Sequence, residues 1–240
     1  RLGGEEGGGE DLRPDLVIRE ARISVYVNGI LFSETPALAA DAEPYARGIL
    51  FFGGWADAGG AGRISVHLTP GDRVLRVDAA STEPPAVRIP VPAPPQGAAF
   101  RERAIYDAVA GLAREPSLYR LTGGVHSAAL ARADGSLVLR FEDLSRHCAV
   151  DKVIGQALAE SRIDPVQSEG FLVSSGRIGA DIVARAARAR LPLIASVSAP
   201  TDRAVSLARA WGLTLCGFVR GRRMNVYTHP ARVVRGDPAG

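Results

Sequence analysis

The sequence predicts an α/β protein in which helices cover a mixed sheet, with a small β-rich part ahead of it. Three observations carry this. From Ala98 to Val233, short apolar runs alternate with amphipathic stretches of helix length. From Arg22 to Asp78, most of the pattern is short alternating runs. Between them lies Ala79–Gly97, with six prolines in nineteen residues. The expected division is a disordered or extended N-terminus over 1–21, a β-rich part over 22–97, an α/β domain over 98–233 and a tail over 234–240.

The elements follow in order. Residues 1–15 are mostly glycine and acid and are expected to be disordered. Ile23–Val27 alternates, Asn28-Gly29 is a strong hairpin turn, and Ile30–Phe32 leads away. Pro36–Phe52 reads as a helix opening at Pro36 with Thr35 as its cap. Arg63–Leu68 and Arg73–Asp78 read as strands, and Ala98–Arg114 as an amphipathic helix. Leu118–Leu121 is expected to be a short strand, and Ala128–Arg132 to pair with Leu137–Phe141 across Asp134-Gly135. His147–Ser161 is helical, with Val150, Val153, Ile154, Ala157 and Leu158 on one stripe. Next come strand Gly170–Val173, helix Ile178–Arg190, strand Pro192–Val197 and helix Asp202–Trp211, closed by Gly212. Strands Leu213–Val219 and Met224–Thr228 complete the pattern.

Composition narrows the function classes. A chain of 240 residues, 46% hydrophobic, can bury a sizeable core. No apolar run reaches bilayer length, and Arg1–Glu10 lacks an apolar signal core, so a cytoplasmic location is expected. A net charge of +3 is no argument for a nucleic-acid partner. The two cysteines, Cys148 and Cys216, form no C-x-x-C, which excludes a zinc knuckle or thioredoxin-type dithiol.

Two strand-to-helix junctions suit an anion: Val173-Ser-Ser-Gly-Arg177 and Val197-Ser-Ala-Pro-Thr201. In the first, Gly176 allows close backbone approach, Ser174 and Ser175 offer hydroxyls, and Arg177 offers a planar fork. The alternative is that Ser175 and Thr201 are ordinary helix caps. A third segment, Phe218-Val219-Arg220-Gly221-Arg222-Arg223, sets three arginines beside an aromatic, as a phosphorylated ligand with a flat base requires. Its alternative is a solvated basic hairpin. Thr122-Gly-Gly-Val-His126 delivers a histidine from a glycine turn. His126, His147 and Cys148 fit no zinc spacing, so no metal site is expected. Cys148, beside His147 and Arg146 at a helix start, is either a stabilised thiolate or a small buried hydrophobe. Asp151 and Lys152 either pair with each other or help place a ligand.

Taken together, Thr122–Leu130, Glu142–Lys152, Ser174–Arg177 and Gly217–Pro230 closely resemble the FdhD/NarQ family of formate dehydrogenase accessory proteins. Val27-Asn-Gly29, Glu34-Thr-Pro36 and Gly48-Ile-Leu-Phe51 extend the match toward the N-terminus. The resemblance implies a cytidine-deaminase-like fold and a bound molybdenum bis(molybdopterin guanine dinucleotide). It also implies a role in sulfur transfer to that cofactor. It places the ligand on Phe218–Arg223, and Ser174, Ser175, Gly176, Arg177 and His126 are expected to complete the site. Expected partners are a formate dehydrogenase-like molybdoenzyme, a cysteine desulfurase and a second copy of the chain, with neither membrane nor nucleic acid. The chain departs from the family in one respect: the family's cysteine-pair loop corresponds to Glu83–Gly97, which has no cysteine. Zinc deamination is not expected either, because His126-Ser-Ala128 has alanine where the deaminase glutamate would stand.

Three readings follow: a maturation factor that binds this cofactor, a non-catalytic carrier or subunit that kept the nucleotide site, and a nucleic-acid binder using Arg220, Arg222, Arg223, Arg232 and Arg235.

Overall fold

The computed structural model describes residues 15–55, 65–70, 74–80, 97–114, 117–160 and 170–235. The expectations for residues 1–14, for the proline-rich 81–96 and for the end of the tail, 236–240, lie outside the described residues.

A four-stranded sheet, ordered β2-β1-β4-β3, forms the N-terminal part from β1 (Ala21–Val27), β2 (Ile30–Ala37), β3 (Ser65–Pro70) and β4 (Val74–Ala80). The β1–β2 hairpin turns at Asn28 and Gly29, whose φ values of 50° and 83° are those of a type I′ turn. The helix expected from Pro36 is a correction: Pro36 closes β2 opposite Arg22. Because β2 is an edge strand, a residue without an N–H breaks no ladder there, and proline biases the preceding Thr35 toward extended backbone. The helix, α1, runs Ala42–Phe52 instead.

A six-stranded mixed sheet, ordered β11-β10-β9-β8-β6-β7, forms the larger part. Its strands are β6 (His126–Ala131), β7 (Leu137–Asp143), β8 (Phe171–Ser174), β9 (Leu193–Ser196), β10 (Thr214–Arg220) and β11 (Arg223–Val226). β8, β9 and β10 are parallel, while β6 is antiparallel to both β7 and β8. Strand alternation divides the side chains between two cores. Ala128, Leu130, Leu172, Ile194 and Leu215 meet α4 (Arg146–Ala159), α5 (Ala180–Arg188) and α6 (Asp202–Trp211) on one face. Ala129, Ala131, Phe171, Val173, Leu193, Ala195 and Cys216 meet α2 (Glu102–Arg114) on the other. The chain is therefore a mixed sheet covered by helices on both faces, as expected.

Two further boundaries differ from expectation. Phe100–Arg101 is a short strand, β5, that pairs with β12 (Val233–Val234) before α2 begins. Leu118–Leu121 is helical: α3 (Leu118–Thr122) is capped by the Ser117 side chain, which accepts from the Arg120 N–H. The Glu142 carboxylate accepts from the Leu118 and Tyr119 N–H groups at the same helix end. That distant acid stabilises a helical turn which the local apolar pattern does not specify.

The two parts share a core where α1 crosses α4. A Cβ on Gly48 would lie 2.0 Å from the Asp151 carbonyl oxygen, and one on Gly155 would lie 1.9 Å from that of Pro44. Glycine at both positions lets the backbones touch. Cys148 on α4 packs with Ile23, Val25, Tyr45 and Leu50 of the N-terminal part. Arg185 and Arg188 of α5 lie over the rings of Phe52 and Phe51, and Arg188 donates to the Phe51 carbonyl.

Candidate functional site

Sheet topology gathers the distinctive segments at one edge. The parallel strands β8, β9 and β10 all end there. β6 runs opposite to β8, so it begins there, and β7 runs opposite to β6, so it ends there. His126 at the start of β6, Arg146 just after β7, Ser174–Arg177 after β8, Ser196–Pro200 after β9 and Phe218–Arg223 at the end of β10 therefore share the carboxyl-end rim of the parallel strands. Ligands bind at this position in open α/β sheets.

Hydrogen bonds tie these loops together. Ser127 and Ser175 are joined reciprocally: the Ser127 N–H donates to Ser175 Oγ, and the Ser175 N–H donates to the Ser127 carbonyl. The same Ser175 Oγ stands 3.5 Å from His126 Nδ1. Ser196 Oγ donates to the Gly176 carbonyl at 2.7 Å. The Ile178 N–H donates to the Ala199 carbonyl, and the Thr201 N–H donates back to that of Ile178, so the loops after β8 and β9 are bridged. The Phe218 N–H donates to the Ser198 carbonyl, and Arg220 Nε donates to that of Val197. A continuous hydrogen-bonded path thus links His126 to the arginine turn.

The sequence-predicted residues separate by role. Ser175, Arg177, Phe218, Arg220, Gly221, Arg222 and Arg223 are at least partly exposed on this rim. Ser174 is buried, and its hydroxyl accepts from the Gly176 N–H, so it shapes the turn and faces no solvent. Val219 is buried in the α2-side core. Gly176 is a further correction: its open side is covered by Arg146 and offers no free backbone. A Cβ there would lie 2.9 Å from Arg146 Cβ and 3.4 Å from His126 Nδ1. Thr201 caps α6, accepting from the Ala204 N–H, whereas Ser175 caps no helix, since α5 starts after Gly179. Phe218 is 43% exposed with φ of 52°, a left-handed conformation that non-glycine residues rarely adopt.

Three residues missed as site residues from the sequence are Arg146, His147 and Asp181. Ser145 caps α4 and holds His147, whose Nδ1 is 3.2 Å from Ser145 Oγ. The Nε2 atom meets the Asp181 carboxylate from the first turn of α5. Burial holds the His147 imidazole below its usual value, against the pull of Asp181 and with Arg146 adding to the depression. His126 is likewise lowered, by burial first and then by Arg146 and Arg177. The available signal was the placement of Arg146-His147 at a helix start in a segment already singled out.

Asp151 and Lys152 do not pair with each other. Lys152 is fully buried, 2.7 Å from Asp143, and also donates to the Ala40 carbonyl. Asp151 receives two hydrogen bonds from Arg185, at 2.7 and 3.0 Å. Both hold α4 in place rather than a ligand. Cys148 is 2% exposed, and burial, with Asp143 and Asp151 nearby, pushes its thiol up to about 12. Burial puts Cys216 at about 12 as well. Neither is a thiolate at neutral pH. Among the described residues, no group of three or more His, Cys, Asp or Glu is placed to hold a metal ion, and no helix is long and apolar enough to cross a membrane. Arg232 is half-buried and donates to the Gly212 carbonyl. A groove of about 730 Å³ between α2 and the β6–β7 turn is lined by none of the predicted site residues.

Known proteins are similar to this chain in sequence and in fold. The FdhD/NarQ family model matches residues 76–234. A sulfur carrier protein FdhD of Anaeromyxobacter sp. (strain K) is 52% identical over 126 residues, covering 51% of this chain and 44% of that protein. One from Sulfolobus acidocaldarius is 47% identical over 116 residues, covering 48% and 45%. The matched segments thus span less than half of these relatives' own length. The crystal structure of a candidate formate dehydrogenase accessory protein from Desulfotalea psychrophila superposes with a TM-score of 0.77 at 25% identity, covering 92% of this chain and 91% of that one. With its distinctive segments on one rim and the family model spanning most of its length, this chain belongs to the FdhD/NarQ family.

Proposed function

We propose that the chain is a maturation factor that binds the molybdenum bis(molybdopterin guanine dinucleotide) cofactor along the strand-end rim and supports its insertion into a formate dehydrogenase-like molybdoenzyme. The observation that carries this reading is the shared rim: His126, Ser175-Gly176-Arg177 and Phe218–Arg223 come from distant parts of the chain onto one hydrogen-bonded edge. Cations and an exposed aromatic there suit a ligand with both phosphates and a flat base. The family membership and the relatives' names, sulfur carrier and formate dehydrogenase accessory protein, point the same way. In this reading the protein works in the cytoplasm, with the molybdoenzyme as recipient and a cysteine desulfurase as the sulfur source.

One observation favours a narrower second reading. Sulfur relay needs a nucleophilic thiolate. Both cysteines of this chain are buried with thiols near 12, and Glu83–Gly97 contains none. A carrier that holds the cofactor without itself passing sulfur fits these residues.

The test is a calorimetric titration with GDP against ADP at two salt concentrations. GDP-selective binding is expected, weakened at least tenfold in an Arg220→Ala/Arg222→Ala double variant. Equal binding of both nucleotides, or binding of neither, overturns the reading. Polynucleotide affinity that falls steeply with salt and ignores guanine would instead support the nucleic-acid alternative.

A further inference from the structure

We propose that Arg146 is a direct ligand-binding residue which, with Arg177 and His126, receives a phosphate or pyrophosphate group, and that His126 takes up a proton as the anion binds. The proposal rests on the cofactor-binding reading above and specifies one part of that site and its regulation.

The geometry starts at Gly176. The point where its Cβ would sit is 2.9 Å from Arg146 Cβ, 3.0 Å from Arg146 Cδ and 3.4 Å from His126 Nδ1. Arg146 therefore lies across the β8–α5 turn, with the His126 ring beside it. Farther along, its Nη2 comes within 3.9 Å of the corresponding point on Gly179, at the start of α5. Arg146 Nε is shielded from water and has no hydrogen-bond partner among the described residues. A shielded guanidinium N–H with no acceptor is costly, and an anionic oxygen would satisfy it once the side chain turns to meet the ligand.

The charge inventory around His126 supports the same conclusion. α4 contributes Arg146 and His147, the β8–α5 turn contributes Arg177, and α5 contributes Asp181. β7 contributes Glu142 and Asp143, opposite Ser127 and His126 in the sheet register. The carboxylates are committed elsewhere. Asp181 meets His147, and Asp143 holds Lys152 and the Leu38 N–H. Glu142 accepts from Ser127, Arg140 and the first N–H groups of α3. Among the described residues, no carboxylate pairs with Arg146 or Arg177. Burial and these two arginines hold the imidazole below its ordinary value when no ligand is bound. A dianion set between them reverses that field, so binding and protonation of His126 favour each other, and reciprocally. The proton comes from the buffer, and no covalent bond changes.

The test uses inorganic pyrophosphate as the probe on the full chain, by calorimetry at pH 6, 7 and 8. Each titration is run in two buffers of different ionisation enthalpy, with GDP titrated in parallel. Wild type should take up a fraction of a proton, with affinity falling several-fold from pH 6 to pH 8. His126→Gln should take up fewer protons than wild type and respond less to pH, the remainder being pyrophosphate's own titration, which both proteins share. Arg146→Gln should bind at least tenfold more weakly. Arg177→Gln, at an exposed position, should weaken binding in the same direction should the Arg146 variant fail to fold. Proton uptake that persists in His126→Gln and disappears in His147→Gln overturns the assignment to His126. Equal proton uptake by wild type and His126→Gln overturns the proton linkage. Wild type that binds GDP but not pyrophosphate overturns this proposal and leaves the function standing; wild type that binds neither defeats both.

Discussion

At the scale of single residues, burial decides what the two cysteines can do. Each thiol rises from an ordinary value of 9.0 to about 12 because the apolar core disfavours its charged form. The folded state therefore keeps a proton that the unfolded chain releases above about pH 9. The contribution to stability is intact below pH 9 and is lost as pH climbs toward 12, by about 1.4 kcal/mol per unit for each thiol. Urea denaturation at pH 8 and pH 10.5 should show that loss, and it should be roughly halved in Cys148→Ala relative to its own value at pH 8. Iodoacetamide at pH 8 should label neither cysteine in the native protein and both in urea. For the same reason, a cysteine desulfurase should leave Cys148 without persulfide sulfur; rapid labelling or loading of native Cys148 would refute its placement in the core.

At the scale of elements, the crossing of α1 and α4 depends on two glycines that helix propensity alone would replace. Alanine at an exposed helix position gains about 1 kcal/mol over glycine. At Gly48 or Gly155 the added methyl would instead sit about 2 Å from a carbonyl oxygen of the facing helix. Gly48→Ala and Gly155→Ala should each lose about 1–3 kcal/mol in chemical denaturation. An unchanged or raised midpoint would show that the helices have room to separate.

The same crossing shows what a sequence can and cannot convey. Strands β6 to β10 and helix α6 were readable because apolar period and turn residues agreed: Asp134-Gly135 turns the β6–β7 hairpin, and Gly212 ends α6 in a left-handed conformation. α3 was not readable from its apolar pattern, since beside its Ser117 cap it draws on Glu142, twenty-four positions from Leu118. The start of α1 was misread because Pro36 suits an edge strand as well as a first helical turn. At the site, the arginine turn and His126 were evident from residue type. The position of Arg146 over Gly176 was not, since it depends on two loops meeting in space, and neither loop's sequence records the other.

At the scale of the whole molecule, the proline-rich stretch suggests two separable parts, yet the packing joins them. α1 belongs by sequence to the first part and lies by contact on α4 and α5 of the second. Each part carries one of the two tryptophans. Trp55 packs edge-on to Phe32 at 6.4 Å, and Trp211 packs against the core of the six-stranded sheet. Trp55→Phe and Trp211→Phe variants thus leave one reporter per part. Their fluorescence midpoints in denaturant should coincide with each other and with loss of helical circular dichroism. Two separated transitions would mean that the α1 contacts do not couple the parts.

Phe218 has a consequence for anyone selecting sturdier versions of this protein. An aromatic side chain in the left-handed region, nearly half exposed, spends stability on a conformation that glycine adopts freely. A screen that rewards heat resistance alone would favour glycine here and remove an exposed aromatic ring from the strand-end rim. In the proposed reading, robustness and recognition are in competition at this position.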